Sequence, residues 1–201
     1  MTNNFVITKS FSAPSVDRRE VLRYAGVRGE ALEMENLLDS CMTESHNRLS
    51  YKVCYREYEI KFEDGEVDLG FCKTSSASLM KTLSGCSKII VFCASVGVDM
   101  DRLIRKYAVI SPSRSVMLQA LGSERVEALC DLFCGEIRQK ISTDGGSVTK
   151  RFSPGYGDLP LDIQRDIFVA LDPSRMIGVS LGADLFMTPS KSVTAIFGIK
   201  M

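Results

Sequence analysis

Residues 51–62 read Tyr51-Lys-Val-Cys-Tyr-Arg-Glu-Tyr-Glu-Ile-Lys-Phe62, and here the periodicity of the chain changes. Tyr51, Val53 and Tyr55 fall on one face, and Cys54, Tyr58 and Ile60 are offset from them, which is the period of two of a strand. Upstream the apolar residues recur at helical spacing instead. Leu37, Leu38, Cys41 and Met42 predict a helix over 30–42. Asp17, with Glu20 three residues later, marks an earlier helix start before Val21, Leu22 and Tyr24. Gly26 and Gly29 interrupt it, and Phe5-Val-Ile7 predicts an extended lead-in. Residues 1–46 are therefore expected to form a helical N-terminal arm, packed because it carries apolar residues worth burying. Residues 47–201 are expected to form the core of the same single domain.

Downstream, Glu63-Asp64-Gly65 predicts a turn, with Asp-Gly favouring positive φ, and Val67, Leu69 and Phe71 a second strand. A short helix is expected over 75–83. Lys88-Ile-Ile-Val-Phe-Cys93 is a continuous apolar run, read as a buried central strand. A helix follows over 99–107. The longest helical signal covers 116–141, where Val126, Leu129, Cys130, Phe133, Cys134, Ile137 and Ile141 share a face. Asp158-Leu-Pro160 predicts another helix start, ended by Asp172-Pro173. Strands are expected around 179–181, 185–187 and 193–199. Strands and helices without a strict βαβ rhythm predict an α+β fold, with a mixed or antiparallel central sheet and flanking helices.

The chain has 201 residues, 25 basic and 25 acidic, and a formal net charge of zero. That excludes a bulk electrostatic grip on nucleic acid or anionic lipid. No apolar run reaches the length of a membrane span, and no basic-then-apolar leader opens the chain. A single histidine, His46, excludes a multi-histidine metal site. The seven cysteines form no CxxC and suit a reducing cytoplasm. Cys130 and Cys134 lie one helical turn apart on the apolar face, so they are read as core rather than as metal ligands.

Residues 151–158, Arg151-Phe-Ser-Pro-Gly-Tyr-Gly-Asp158, concentrate polar and turn chemistry. Ser153 is held extended by Pro154, and Pro154-Gly155 suits a type II turn with Gly155 at positive φ. The bare backbone of Gly155 and Gly157 would let a ligand approach. Arg151 offers a fork for a carboxylate, and Tyr156 offers a ring face and a hydroxyl. A plain connecting turn is the alternative these residues leave open.

The same stretch, with its following Pro and a helix ending in Leu-Asp, resembles the activation (reactivation) domain of cobalamin-dependent methionine synthase. Gly178-Val-Ser-Leu181 and Met187-Thr-Pro-Ser-Lys-Ser-Val-Thr-Ala-Ile-Phe197 are similar to the end of that domain. Leu118-Gln-Ala-Leu-Gly-Ser-Glu-Arg-Val-Glu127 is similar to the helix before the motif, so the motif region spans 118–199. Residues 1–110 match less specifically.

The resemblance implies S-adenosylmethionine as ligand, with Arg151 and Tyr156 as contacts and Ser153, Pro154 and Gly155 in the motif loop. It also implies an acidic residue on the preceding helix: Glu127, with Glu124 as the alternative. A family Cys shortly after Gly-Tyr has no counterpart at Gly157-Asp-Leu159. An N-terminal acidic ligand has none either, with Asp99 and Asp101 as untested stand-ins. The implied function is a reactivation subunit that supports reductive methylation of cob(II)alamin on a methionine synthase, a component rather than a self-contained enzyme. The alternative is a module that senses S-adenosylmethionine or docks on a corrinoid protein without methyl transfer. Cobalamin would come only through that partner, since no cobalt-ligating histidine motif is present, and a flavodoxin-like reductant would supply the electron. Whether Ser190 and Lys191, before the last strand, touch the ligand stays open against a plain polar turn.

Overall fold

The change of period at Tyr51 is a change from helices to sheet in space as well as in sequence. The computed structural model describes residues 5–29 and 32–201. In chain order its elements are β1 (Ile7–Phe11), α1 (Arg18–Tyr24), α2 (Leu32–Ser45), β2 (Tyr51–Glu59), β3 (Lys61–Glu63), β4 (Glu66–Asp68), β5 (Lys73–Thr74), α3 (Ala77–Thr82), β6 (Lys88–Ser95), α4 (Asp99–Ile110), α5 (Pro112–Thr143), β7 (Ser147–Val148), α6 (Ile163–Leu171), α7 (Pro173–Ile177), β8 (Ser180–Leu181), β9 (Met187–Thr188) and β10 (Ser192–Lys200). The expected start of the second helix, at Glu30, lies outside the described residues, as do residues 1–4 of the lead-in.

Five strands form the main sheet in the order β1-β2-β6-β10-β7, with every neighbouring pair antiparallel. The apolar run at 88–93 is its central strand, as the sequence predicts. Because side chains alternate across a strand, β6 feeds two cores. Ile90, Phe92 and Ala94 enter one with α5, whereas Ile89, Val91 and Cys93 enter the other with α3 and α6. The same parity holds in β2, where Val53 and Tyr55 face α5 and Cys54 faces away. A strand covered on both faces has no polar side to show, which is why residues 88–93 read as continuous rather than alternating.

Helix α5 lies along one face of this sheet. Its Phe133 ring meets Phe11 of β1, Tyr55 of β2, Phe92 of β6 and Phe197 of β10 at centroid separations of 5.0–6.4 Å. One side chain thus ties the helix to four strands, in the tilted and edge-on geometries that aromatic quadrupoles favour. The N-terminal arm gives β1 to the sheet edge and packs α1 and α2 on α5. Asp64 and Gly65 both have positive φ (49° and 81°) in the two-residue turn joining β3 and β4, as that dipeptide predicts.

Three differences from the sequence reading have local causes. The helix expected from Asp158 begins only at Ile163, because the Asp158 carboxylate caps α3 instead and Leu159 N–H turns back to the Tyr156 carbonyl. Pro173 stops α6 and starts the short α7, whose first turn the Asp172 side chain caps. The two-residue β7 carries too little pattern to be seen in sequence; it pairs with the end of β10.

Candidate functional site

Three adjoining hollows of about 890, 470 and 370 Å³ meet at Glu127 on the outer side of α5. Helix α1 and its lead-in border one side, the 151–156 loop another, and the turn before β10 a third. The groove therefore joins segments far apart in sequence.

The 151–158 loop is anchored at both ends. Phe152 exchanges main-chain hydrogen bonds with Ile196 of β10, at 2.7 and 2.8 Å. At the far end, Asp158 accepts from Ser76 Oγ (2.5 Å), Ala77 N (2.7 Å) and Ser78 N (3.1 Å). The hydroxyl of Ser76 and the α3 amides hold the Asp158 carboxyl at about 2. Between these anchors Tyr156 N–H donates to the Ser153 carbonyl (3.2 Å), with Pro154-Gly155 at the corner and Gly155 at φ 86°. This is the expected type II geometry.

The bareness of the two glycines serves the loop's own packing. A Cβ on Gly155 would meet Leu161 at 3.3 Å, and one on Gly157 would meet Ser78 at 3.0 Å. Neither glycine lines the groove, nor does the buried Pro154. Their place is in the turn that presents Ser153 and Tyr156.

Glu127, Arg151, Ser153 and Tyr156 do line one hollow together, with Phe152 and Val193. Arg151 Nη2 donates to Glu127 Oε2 at 2.5 Å and lies 3.2 Å from Asp131 Oδ1. Its Nη1 is buried without a hydrogen-bond partner among the described residues. One arm of the fork that the sequence offers to an incoming carboxylate, Nη2, is thus taken by the chain's own carboxylates. One cation faces two anions there, so this corner keeps a negative charge. Tyr156 stands 69% exposed beside it.

Glu124 has a different job. It is buried, pairs with Arg125 at 2.5 Å and accepts from Asp17 N–H at 2.9 Å. Arg125 in turn holds the carbonyls of Pro14 and Ser15. This pair fastens the segment entering α1, and Glu127 is the acid beside Arg151.

Asp131 and Tyr24 were missed in the sequence. Asp131 lies one helical turn after Glu127, so the i, i+4 spacing of two carboxylates opposite a motif arginine is a usable signal. Tyr24 arrives from α1 and lines two of the hollows. Burial and the nearby Glu127 carboxylate hold its phenol above the usual range. No local pattern could have placed it there.

The turn before β10 is also built. Asp101 of α4, buried, accepts from Ser190 N (2.8 Å) and Ser190 Oγ (2.5 Å). Lys191, 9% exposed, donates from Nζ to Ser123 Oγ at 3.0 Å and lines the hollow that also holds Tyr24 and Glu127. Burial pulls its ammonium below the usual lysine range, against a smaller opposing pull from Asp101. Asp99 instead pairs with Arg102 on the α4 surface.

Cys130 and Cys134 are buried in the α5 core, and burial pushes the Cys134 thiol up to about 11. Among the described residues no three His, Cys, Asp or Glu side chains are grouped to hold a metal, and no helix is long and apolar enough to cross a membrane. His46 stands exposed just beyond the end of α2.

No protein-family model matches the sequence, and no curated protein matches it. Among solved structures, the fold is similar to the crystal structure of the MetH reactivation domain bound to AdoHcy. The TM-score is 0.73 and the identity 15%, over 96% of this chain and 78% of that one. The chain thus has the α+β fold of the methionine synthase reactivation domain, with its antiparallel sheet and flanking helices.

Proposed function

We propose that this protein binds S-adenosylmethionine in the groove at Glu127 and presents it to a cobalamin carried by a partner protein. The observation that carries this reading is the convergence of Glu127, Arg151, Ser153 and Tyr156 on one hollow, in a fold whose solved counterpart holds AdoHcy. The residues suit such a ligand. The negative corner formed by Glu127 and Asp131 around Arg151 attracts an ammonium. The exposed Tyr156 ring offers a face to a sulfonium or an adenine. Arg151 contacts the ligand while aiming both carboxylates across the groove.

A cobalamin brought by a methionine synthase or another corrinoid protein would supply the nucleophilic metal, a flavodoxin-like donor the electron, and S-adenosylhomocysteine would leave as the methyl is transferred. The contribution of this chain is position: it holds a methyl donor in one orientation and needs no side-chain acid or base. The anchored 151–158 loop is suited to that, since both of its ends are tied to regular elements.

Titration calorimetry with S-adenosylmethionine tests the reading, with Arg151→Ala as the comparison. The expected result is binding by the wild type, weakened at least about tenfold by Arg151→Ala, which removes a ligand contact and the side chain that holds Glu127 and Asp131 in place. No heat with either protein overturns the site. Methylation of the partner's cobalamin under reducing conditions, followed by absorbance with and without this chain, tests the second half. Binding without any methylation would favour a sensing or docking module.

A further inference from the structure

We infer that Lys191, rather than Arg151, receives the carboxylate of the ligand's amino-acid end, while Glu127 and Asp131 receive its ammonium. This rests on the function proposed above and deepens it. It starts from the charge balance of the groove. Arg151 is matched by two carboxylates within 3.2 Å, so a third arriving there would meet net repulsion. Its Nη1 is covered.

Lys191 is the opposite case. Among the described residues its Nζ has one hydrogen bond, to a neutral serine hydroxyl, and no carboxylate at ion-pair distance. The nearest acid by charge, Asp101, spends both oxygens on Ser190. A buried cation with no direct ion-pair partner is costly unless something supplies one, and this cation borders an open hollow of about 470 Å³.

The scaffold is shaped for Lys191 to lie where it does. A Cβ on Gly122 would come within 2.9 Å of Lys191 Cγ and 3.1 Å of its Cε. Glycine at that position of α5 lets the aliphatic stem cross the helix and deliver Nζ to Ser123. Ser123 and Glu127 are four residues apart, so Lys191 and Glu127 present opposite charges about one helical turn apart along one hollow. An α-amino acid carries its ammonium and carboxylate with the same separation of sign and can bridge them with one hydrogen bond at each end.

The test compares S-adenosylmethionine with its decarboxylated analogue, which keeps the ammonium and sulfonium and lacks only the carboxylate, by calorimetry on the full chain. The wild type is expected to favour S-adenosylmethionine by at least about tenfold, the scale of one charge-assisted hydrogen bond. In Lys191→Met, with folding checked by circular dichroism, the two ligands are expected to bind equally. In Arg151→Ala both weaken and the preference survives. Lys191→Gln, which keeps a polar contact to Ser123, replaces the Met variant if that one does not fold. Equal binding of both ligands by the wild type, or a preference that survives the loss of Lys191 or disappears with Arg151, overturns the lysine assignment and leaves the proposed function standing. Binding of neither ligand overturns the proposed function and this inference with it.

Discussion

Asp158 holds the 153–158 loop by accepting from a serine hydroxyl and two amides of α3, and Asp101 holds the 189–192 turn by accepting from a serine hydroxyl and an amide of that turn. The two turns border the same groove and use the same device, but Asp158 is exposed and Asp101 is buried. Their cations differ in the same sense. Arg151 is half-buried and matched by two acids, and Lys191 is buried, its Nζ bonded among the described residues to Ser123 alone. The comparison teaches that one side of the groove pairs its cation from within, keeps an excess of negative charge and can exchange partners with solvent. The other is buried and, among the described residues, has no carboxylate paired with its cation.

Asp101→Asn should have the largest effect on stability. It strips the charge from a buried acceptor of two hydrogen bonds, at a cost of about 2–3 kcal/mol, measurable as a fall in the urea midpoint at unchanged slope. A loss as small as a surface substitution would remove the contrast between the turns.

The Gly122→Ala and Gly135→Ala pair sharpens it next. Both glycines are in α5, so the gain in helix propensity, up to about 1 kcal/mol, is common to both. At Gly135 the new methyl meets nothing within 4 Å, whereas at Gly122 it meets Met100 at 2.7 Å and Lys191 at 2.9 Å. Gly122→Ala should therefore be the less stable of the two by about 1–3 kcal/mol, and it should also weaken S-adenosylmethionine binding. Equal thermal midpoints would show that Lys191 does not need its path across the helix.

The smallest effect is the titration of Asp158. Its folded carboxyl sits at about 2, below the ordinary 3.8. It therefore stabilises the fold fully above about pH 4, and that contribution is lost as pH falls from there through about 2. The wild type should melt above Asp158→Asn at neutral pH, and the difference should shrink toward zero in acid. A difference that stays constant with pH would mean that the charge is not what anchors the loop.

Much of the fold was legible because its signals are local. The two-residue period at 51–60, the apolar run at 88–93 and the long apolar stripe of 116–141 each reflect which faces are covered, and a covered face leaves its mark residue by residue. The type II turn at Pro154-Gly155 was legible for the same reason, since one proline and one glycine restrict φ there. The helix expected at Asp158 was misread because a carboxylate before an apolar stretch can cap either its own helix or a distant one. Here Asp158 reaches α3, eighty-odd positions away.

The candidate site divides along the same line. The sequence by itself determined that the chain is α+β, that its cysteines belong to cores, and that Arg151, Ser153 and Tyr156 share one loop, because propensity, periodicity and turn geometry act over a few residues. Only the tertiary structure decided that Glu127 and not Glu124 stands beside Arg151, that Asp131 and Tyr24 join it, and that Lys191 is buried with no ion pair among the described residues. Charge balance in a groove is a sum over side chains from α1, α4, α5 and two turns. Coulomb attraction and desolvation depend on separation in space, and one chain position says nothing about distance to another until the core has packed.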